Sequence, residues 1–99
     1  MHIISRKALK EFSLKHPQSE IPLDSWYRVA KQAQWCNLNE IKESYPSADL
    51  VGEYIVFNIK GNDYRLIVGI NFSKQVIFIK HILTHADYDK NKWKTWAMY

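Results

Sequence analysis

One cysteine, three glycines and three prolines among 99 residues leave this chain little of what staples, loops or interrupts a fold. Cys36 has no second cysteine to pair with, so an intramolecular disulfide is excluded, and no cysteine cluster points to zinc. A lone thiol of this kind is expected to be buried or half-buried. No apolar run approaches the roughly 20 residues that cross a bilayer, and the N-terminal stretch lacks the apolar core of a signal peptide. No glycine-rich phosphate loop, repeat, linker or low-complexity tract is present. His2 and His16 have no partner at ligand spacing. These absences lead to the expectation of a cytoplasmic protein with no membrane partner, no metal and no cofactor.

What is present is ample material for one core. Hydrophobic residues make up 46% of the chain and aromatics 14%, enough for a single compact domain over residues 1–99. The formal net charge is +4. From Met1 to Phe57 seven Lys/Arg balance seven Asp/Glu, whereas from Asn58 to Tyr99 seven Lys/Arg face three Asp. A cation excess confined to the C-terminal part favours a polyanionic partner, nucleic acid first.

The order of elements follows from periodicity and punctuation. His2-Ile3-Ile4 suits a short strand, and Ser5 an N-cap for a helix with Ala8, Leu9 and Phe12 on one face. Pro17 stops that helix. After a polar loop from Gln18 to Glu20, Pro22 fits the first turn of a second helix, whose stripe is Leu23, Trp26, Tyr27, Ala30 and Ala33. The short connection makes the two an antiparallel hairpin. Asn37-Leu38-Asn39-Glu40 has the form of a capping box opening a short helix that Pro46 ends. Residues Pro46 to Gly52 read as a loop. Three strand-like runs follow, Tyr54–Ile59, Tyr64–Asn71 and Val76–Leu83, separated by Gly61-Asn62 and Ser73-Lys74. The expected class is α+β, an N-terminal helix hairpin packed on one face of an antiparallel sheet.

Register then sorts the side chains. A two-residue turn at Gly61-Asn62 sets Asn58 opposite Arg65 and Ile59 opposite Tyr64. Alternation puts Ile55, Phe57, Ile59, Tyr64, Leu66, Val68 and Ile70 against the helices. Asn58, Lys60, Arg65, Ile67, Gly69 and Asn71 fall on the other face. A similar turn at Ser73-Lys74 sets Lys80 opposite Ile67, close to Arg65. Guanidinium and ammonium groups converging there suit phosphate, the first as a planar fork and the second as a compact charge. Fixed cations of this kind stabilise the phosphorane formed when a 2′-hydroxyl attacks its own phosphodiester. The Lys60–Asp63 pair across the turn also reads as simply structural.

His85 and Tyr88 lie just past the third run, where a loop or short helix can fold over the cationic face. The unperturbed pKa of histidine lies nearest neutrality, which suits proton transfer. Tyrosine can stack on an unpaired base or donate a hydrogen bond. Asp87 and Asp89 read mainly as solubilising acids, although either could orient His85. By alternation His81 falls on the helix-covered face, as a core or edge histidine. The stretch 91–99, Asn91-Lys92-Trp93-Lys94-Thr95-Trp96-Ala97-Met98-Tyr99, alternates cations with aromatics. RNA stacking is one reading of it; the commoner one is a loosely packed tail in which Trp93 docks on the sheet edge or a partner.

Taken together, these residues resemble the HigB family of bacterial type II toxins, within the larger RelE-like superfamily. The resemblance is carried by Met1-His2-Ile3-Ile4-Ser5 with Lys7-Ala8-Leu9, Pro46-Ser47-Ala48-Asp49, Phe57-Asn58-Ile59, Gly61-Asn62, Tyr64-Arg65-Leu66, and Thr84-His85 followed by Tyr88-Asp89. It covers almost the whole chain. The resemblance implies the small RelE-like fold and a ribosome-dependent endoribonuclease, an mRNA interferase acting on translated mRNA in the ribosomal A site without a metal. It further implies a cognate antitoxin with a helix-turn-helix domain, through which operator DNA would be met only indirectly. Family-like positions are Asn58, Arg65, Lys80, His85 and Tyr88, with Lys60 added as support for RNA binding. Arg65 and Lys80 are expected to stabilise phosphorane charge, Asn58 to orient Arg65, His85 to move the proton and Tyr88 to position the nucleotide. Two other classes fit the same residues: a non-catalytic RNA- or ribosome-binding module such as a degenerate toxin, and a pure protein-interaction domain.

Overall fold

The computed structural model describes residues 1–90. The expectations for Trp93 and for the tail as a whole lie outside the described residues.

Among the described residues, nine helices and strands and one 3-10 turn follow the sequence-derived order with two additions. Strand β1 (His2–Ile4) leads into helix α1 (Arg6–Lys15), a 3-10 turn (Pro17–Ser19) and helix α2 (Glu20–Gln32). The short helix α3 (Leu38–Ser44) precedes strands β2 (Asp49–Val51), β3 (Tyr54–Ile59), β4 (Tyr64–Asn71) and β5 (Val76–Thr84). A single-turn-scale helix, α4 (His85–Asp89), closes the described chain. The sheet order is β1-β5-β4-β3-β2, with β1 parallel to β5 and the remaining pairs antiparallel.

Local chemistry accounts for most boundaries. The Asn37 side chain accepts the Glu40 N–H at 3.0 Å, and the Glu40 carboxylate accepts the N–H of Cys36 at 3.3 Å. This is the expected capping box, its return bond landing one residue earlier than usual. Ser5 stands at the N-cap of α1 in extended geometry but makes no side-chain cap bond. Pro22 lies in the first turn of α2, where its missing N–H costs nothing. Between β3 and β4, Lys60 and Gly61 both take positive φ, 52° and 64°. Glycine adopts that region freely, and the left-handed backbone lets the Asp63 N–H reach the Lys60 carbonyl at 3.1 Å.

The core lies between the helices and the sheet face that alternation assigned to it. Phe57, Leu66 and Val68 are fully buried, and Ile55, Ile59 and Tyr64 nearly so. Phe57 is the hub of an aromatic cluster, with Trp26 at 5.4 Å, Tyr45 at 5.3 Å and Trp35 at 6.3 Å between ring centroids. Burying a phenyl side chain of this kind contributes about 1.5–3 kcal/mol.

Four expectations are corrected. Residues Pro46 to Gly52 are not all loop: Asp49–Val51 pairs with β3 as an edge strand too short to show periodicity. Cys36 is exposed, because it sits in the connection before α3 rather than on an apolar face. Lys80 does not oppose Ile67. The expected register holds from Asn71↔Val76 to Val68↔Ile79, then a bulge makes Ile67 the partner of His81. Lys80 is therefore the unpaired extra residue, as β-bulges require. For the same reason His81 is displaced from the helix-covered face to the side of Ile67. Burial, and then the charge of neighbouring Lys80, push its pKa below the ordinary value.

Candidate functional site

The second face of the sheet is where the charged residues gather, and α4 shapes one end of it. Val56 and Ile67 are buried there, with Val51, Tyr54, Leu83 and Tyr88 packed around them. Beside this small cluster lies Arg65. Its partners across the sheet are Asn58 on β3 and Leu83 on β5.

Arg65 is only 9% exposed. Its Nη1 donates to the carbonyl oxygens of Asn62 at 2.9 Å and Tyr64 at 3.4 Å. The turn that forms the hairpin thus also fixes the guanidinium. On its other side Nη2 approaches His85 Nδ1 at 3.4 Å. The ring of Tyr88 lies against the guanidinium, 5.1 Å from Cζ to centroid. Among the described residues Arg65 forms no ion pair with a carboxylate. A buried cation is costly without compensation, and here carbonyls, an imidazole and a π face supply it. No described carboxylate neutralises its formal charge.

Helix α4 places the imidazole. Thr84 caps it, its hydroxyl accepting the Asp87 N–H at 3.2 Å. The His85 N–H donates to the Asp63 carbonyl at 2.9 Å, pinning the start of α4 to the β3–β4 turn. Four residues on, Asp89 Oδ2 lies 3.0 Å from His85 Nε2. A guanidinium has only donors, so its contact requires the Nδ1 lone pair; Nε2 then carries the proton and donates to Asp89. Burial pushes the Tyr88 hydroxyl above the ordinary tyrosine range, opposed by Arg65 and reinforced by Asp49 and Asp89. Tyr88 therefore keeps its proton at neutral pH and offers a donor.

Arg65, His85 and Tyr88 come together, and Asn58 stands beside them, its amide donating to Asn62 Oδ1 at 3.3 Å. Lys60 and Lys80 do not join them. The Lys60 amine is held by Asp63 Oδ2 at 3.2 Å and Gln18 Oε1 at 3.3 Å. The Lys80 amine lies 5.4 Å from the centre of the Phe78 ring. Phe78 pairs with Gly69, and Gly69 lies four positions along β4 from Arg65, roughly 13 Å along the strand. One contributor was missed from the sequence, and another was named there only as an alternative. Asn62 holds both Arg65 and Asn58, which its reading as a turn residue concealed. Asp89 holds His85, and the four-residue spacing was the available signal once a helix was allowed there. An apolar groove between α1 and α2, lined by Leu9, Leu14, Ile21, Leu23 and Tyr27, belongs to the helix layer and is not part of this site.

N-terminal helices packed on a five-stranded, mostly antiparallel sheet are consistent with the small RelE-like fold. Comparison with known proteins makes the class specific. Residues 19–91 match the model of HigB_toxin, the RelE-like toxic component of a toxin-antitoxin system. The mRNA interferase HigB of Escherichia coli O6:H1 (strain CFT073) is 37% identical over 93 residues, covering 91% of this chain and 90% of that protein. The mRNA interferase toxin HigB of Escherichia coli K12 is 30% identical over 92 residues, covering 90% and 88%. The mRNA interferase HigB of Shigella flexneri is similar to the same extent. The chain belongs to the HigB toxin family.

Proposed function

We propose that the protein is an mRNA interferase, an endoribonuclease toxin that cuts translated messages in the ribosomal A site and so stops growth. The observation that carries this reading is the nearly buried guanidinium of Arg65 facing His85, with no carboxylate partner among the described residues. Such a group is a preorganised anion site, and in low dielectric its attraction for developing negative charge is strengthened.

In the proposed step the 2′-hydroxyl of the message attacks the adjacent phosphorus. His85 Nδ1 takes its proton, and Asp89 stabilises the imidazolium. Arg65 Nη2 turns from Nδ1 to the phosphorane oxygens. The bond from phosphorus to the 5′ oxygen breaks, leaving a 2′,3′-cyclic phosphate and a 5′-hydroxyl whose proton comes from solvent. Tyr88 donates a hydrogen bond to the nucleotide or stacks on it, and Asn58 with Asn62 keeps Arg65 in place. No metal takes part in this scheme. Lys80 serves the RNA strand rather than the phosphorane, because the bulge in β5 carries it away from Arg65. Lys60, occupied by Asp63 and Gln18, supports the turn. The partner is a cognate antitoxin with a helix-turn-helix domain, through which operator DNA is met.

Mapping mRNA 5′ ends after brief induction tests the reading. New ends inside translated codons are expected with the parent and not with Arg65→Ala. Blocked translation without new ends would instead identify a binding module that does not cut.

A further inference from the structure

The helix layer carries a feature that the chemistry at Arg65 does not use. Between α1 and α2 runs an open groove of about 480 Å³, lined by Leu9, Leu23 and Tyr27. Leu14 on one bank and Ile21 on the other are 83% and 81% exposed, the highest values for large apolar side chains among the described residues. Single exposed aliphatics are ordinary, but two that flank an apolar groove mark a surface that a partner covers.

The two banks differ in charge. Arg6 reaches Asp24 across the hairpin at 3.3 Å and lies over the Tyr27 ring at 4.6 Å. The helices run antiparallel, so Lys10, four residues on in α1, stands level with Glu20, four residues back in α2. Both line the groove and both are exposed. Neither forms an ion pair with a described residue. The basic bank thus belongs to α1 and the acidic bank to α2.

Whatever covers this groove has to set negative charge against α1, positive charge against α2 and apolar side chains between them. The chain itself carries that pattern. A two-fold axis running along the groove lays α1 of each copy on α2 of the other and leaves levels along the groove unchanged. Lys10 then meets Glu20 of the second copy, and the reverse pair forms on the opposite side. The exposed Leu14 and Ile21 of each copy close over the other's groove. An axis running across the groove would instead set α1 on α1 and oppose like charges. Self-complementarity of the first kind is what an isologous interface requires.

We propose that the groove between α1 and α2 is the interface of a reversible homodimer, closed by Leu14 and Ile21 and held in register by two Lys10–Glu20 pairs. Helix α2 has 13 residues, roughly 20 Å of length, and a packed helix lies about 10 Å away. Two such faces bury on the order of 1,000 Å² in total, near the lower limit of specific interfaces, so the association is weak. The groove lies on the helix side of the sheet and Arg65 on the other, which leaves both reaction sites open in the dimer. The inference goes beyond the reading of Arg65 and does not rest on it.

The test is sedimentation equilibrium of the purified full chain from low micromolar to near-millimolar concentration, where a monomer–dimer equilibrium is expected. Leu14→Glu and Ile21→Glu place a charge in the interface and should raise the dissociation constant by roughly tenfold or more. Both side chains stand mostly in solvent, so the melting temperature should stay that of the parent. Lys10→Glu and Glu20→Lys each oppose like charges twice and should weaken self-association by a similar factor. Mixing these two variants decides the matter. Each supplies the charge the other lacks, and a heterodimer should form about as tightly as the parent dimer. A Lys10–Glu20 pair within one chain would not recover on mixing, only in the double variant Lys10→Glu/Glu20→Lys. A parent that stays monomeric throughout, a dimer indifferent to Leu14→Glu and Ile21→Glu, or no recovery on mixing overturns the proposal. Loss of antitoxin affinity in Leu14→Glu, in a chain that never dimerises, assigns the groove to the antitoxin and also overturns it. None of these outcomes bears on the cleavage test of Arg65→Ala, by which the proposed function stands or falls separately.

Discussion

The two faces of the sheet are built on different principles. The face under α1 and α2 is continuous and apolar, and nearly every residue on it is closed off by a neighbour of the same kind. The opposite face has only a small buried patch around Val56 and Ile67. Beside that patch a guanidinium is almost as buried as the core, yet it is held by carbonyls, an imidazole and a tyrosine ring. One face trades surface for stability; the other keeps in position a charge that no described carboxylate neutralises. The contrast teaches that burial alone does not identify a structural residue, because what surrounds the buried group decides what it can do.

The largest effect should come from the apolar face. Phe57→Ala removes the centre of the aromatic cluster and is expected to cost about 3–5 kcal/mol, the usual range for a buried phenyl group. Urea unfolding reads this directly, as a lower midpoint with an unchanged slope. Next in size is Arg65→Ala, where the contrast is sharpest. Cleavage should fall by about a hundred- to a thousandfold, the range for removing one preorganised charge-stabilising group. The fold should persist, since no ion pair with a described carboxylate is broken. A variant that instead unfolds would place Arg65 with Phe57.

How much of this contrast the sequence displayed depends on the residue. Phe57, Leu66 and Val68 were legible because strict alternation in β3 and β4 leaves one assignment, and Asn58 opposite Arg65 followed from Gly61-Asn62. Lys80 and His81 were misplaced for one reason. A bulge shifts every later residue of β5 to the other face, and nothing in Ile79-Lys80-His81 marks it. The shift arises from packing in three dimensions, which alternation along a single strand does not encode. Asp89 stayed one of two acids that could orient His85, because its role exists only once α4 forms, and a five-residue helix shows no periodicity.

Smaller effects refine the picture. Asn37→Ala should cost about 1 kcal/mol through the lost cap of α3, read as a drop in melting temperature with cleavage unchanged. The pH dependence of stability probes His81 on the second face. Its folded pKa is lowered from an ordinary 6.5. The unfolded chain therefore binds more protons between the two values, and stability should fall as pH drops below about 6.5. His81→Gln should flatten that part of the profile, measured by denaturant midpoints across the acid range.

The most direct test of the central claim is a double-mutant cycle on Arg65 and His85, read as the rate of mRNA cleavage in a reconstituted translation system. If the two side chains act as one unit, Arg65→Ala with His85→Ala loses little more than the worse single variant. If the two losses multiply as independent factors, the guanidinium and the imidazole do not share a reaction centre, and this account of the site is wrong.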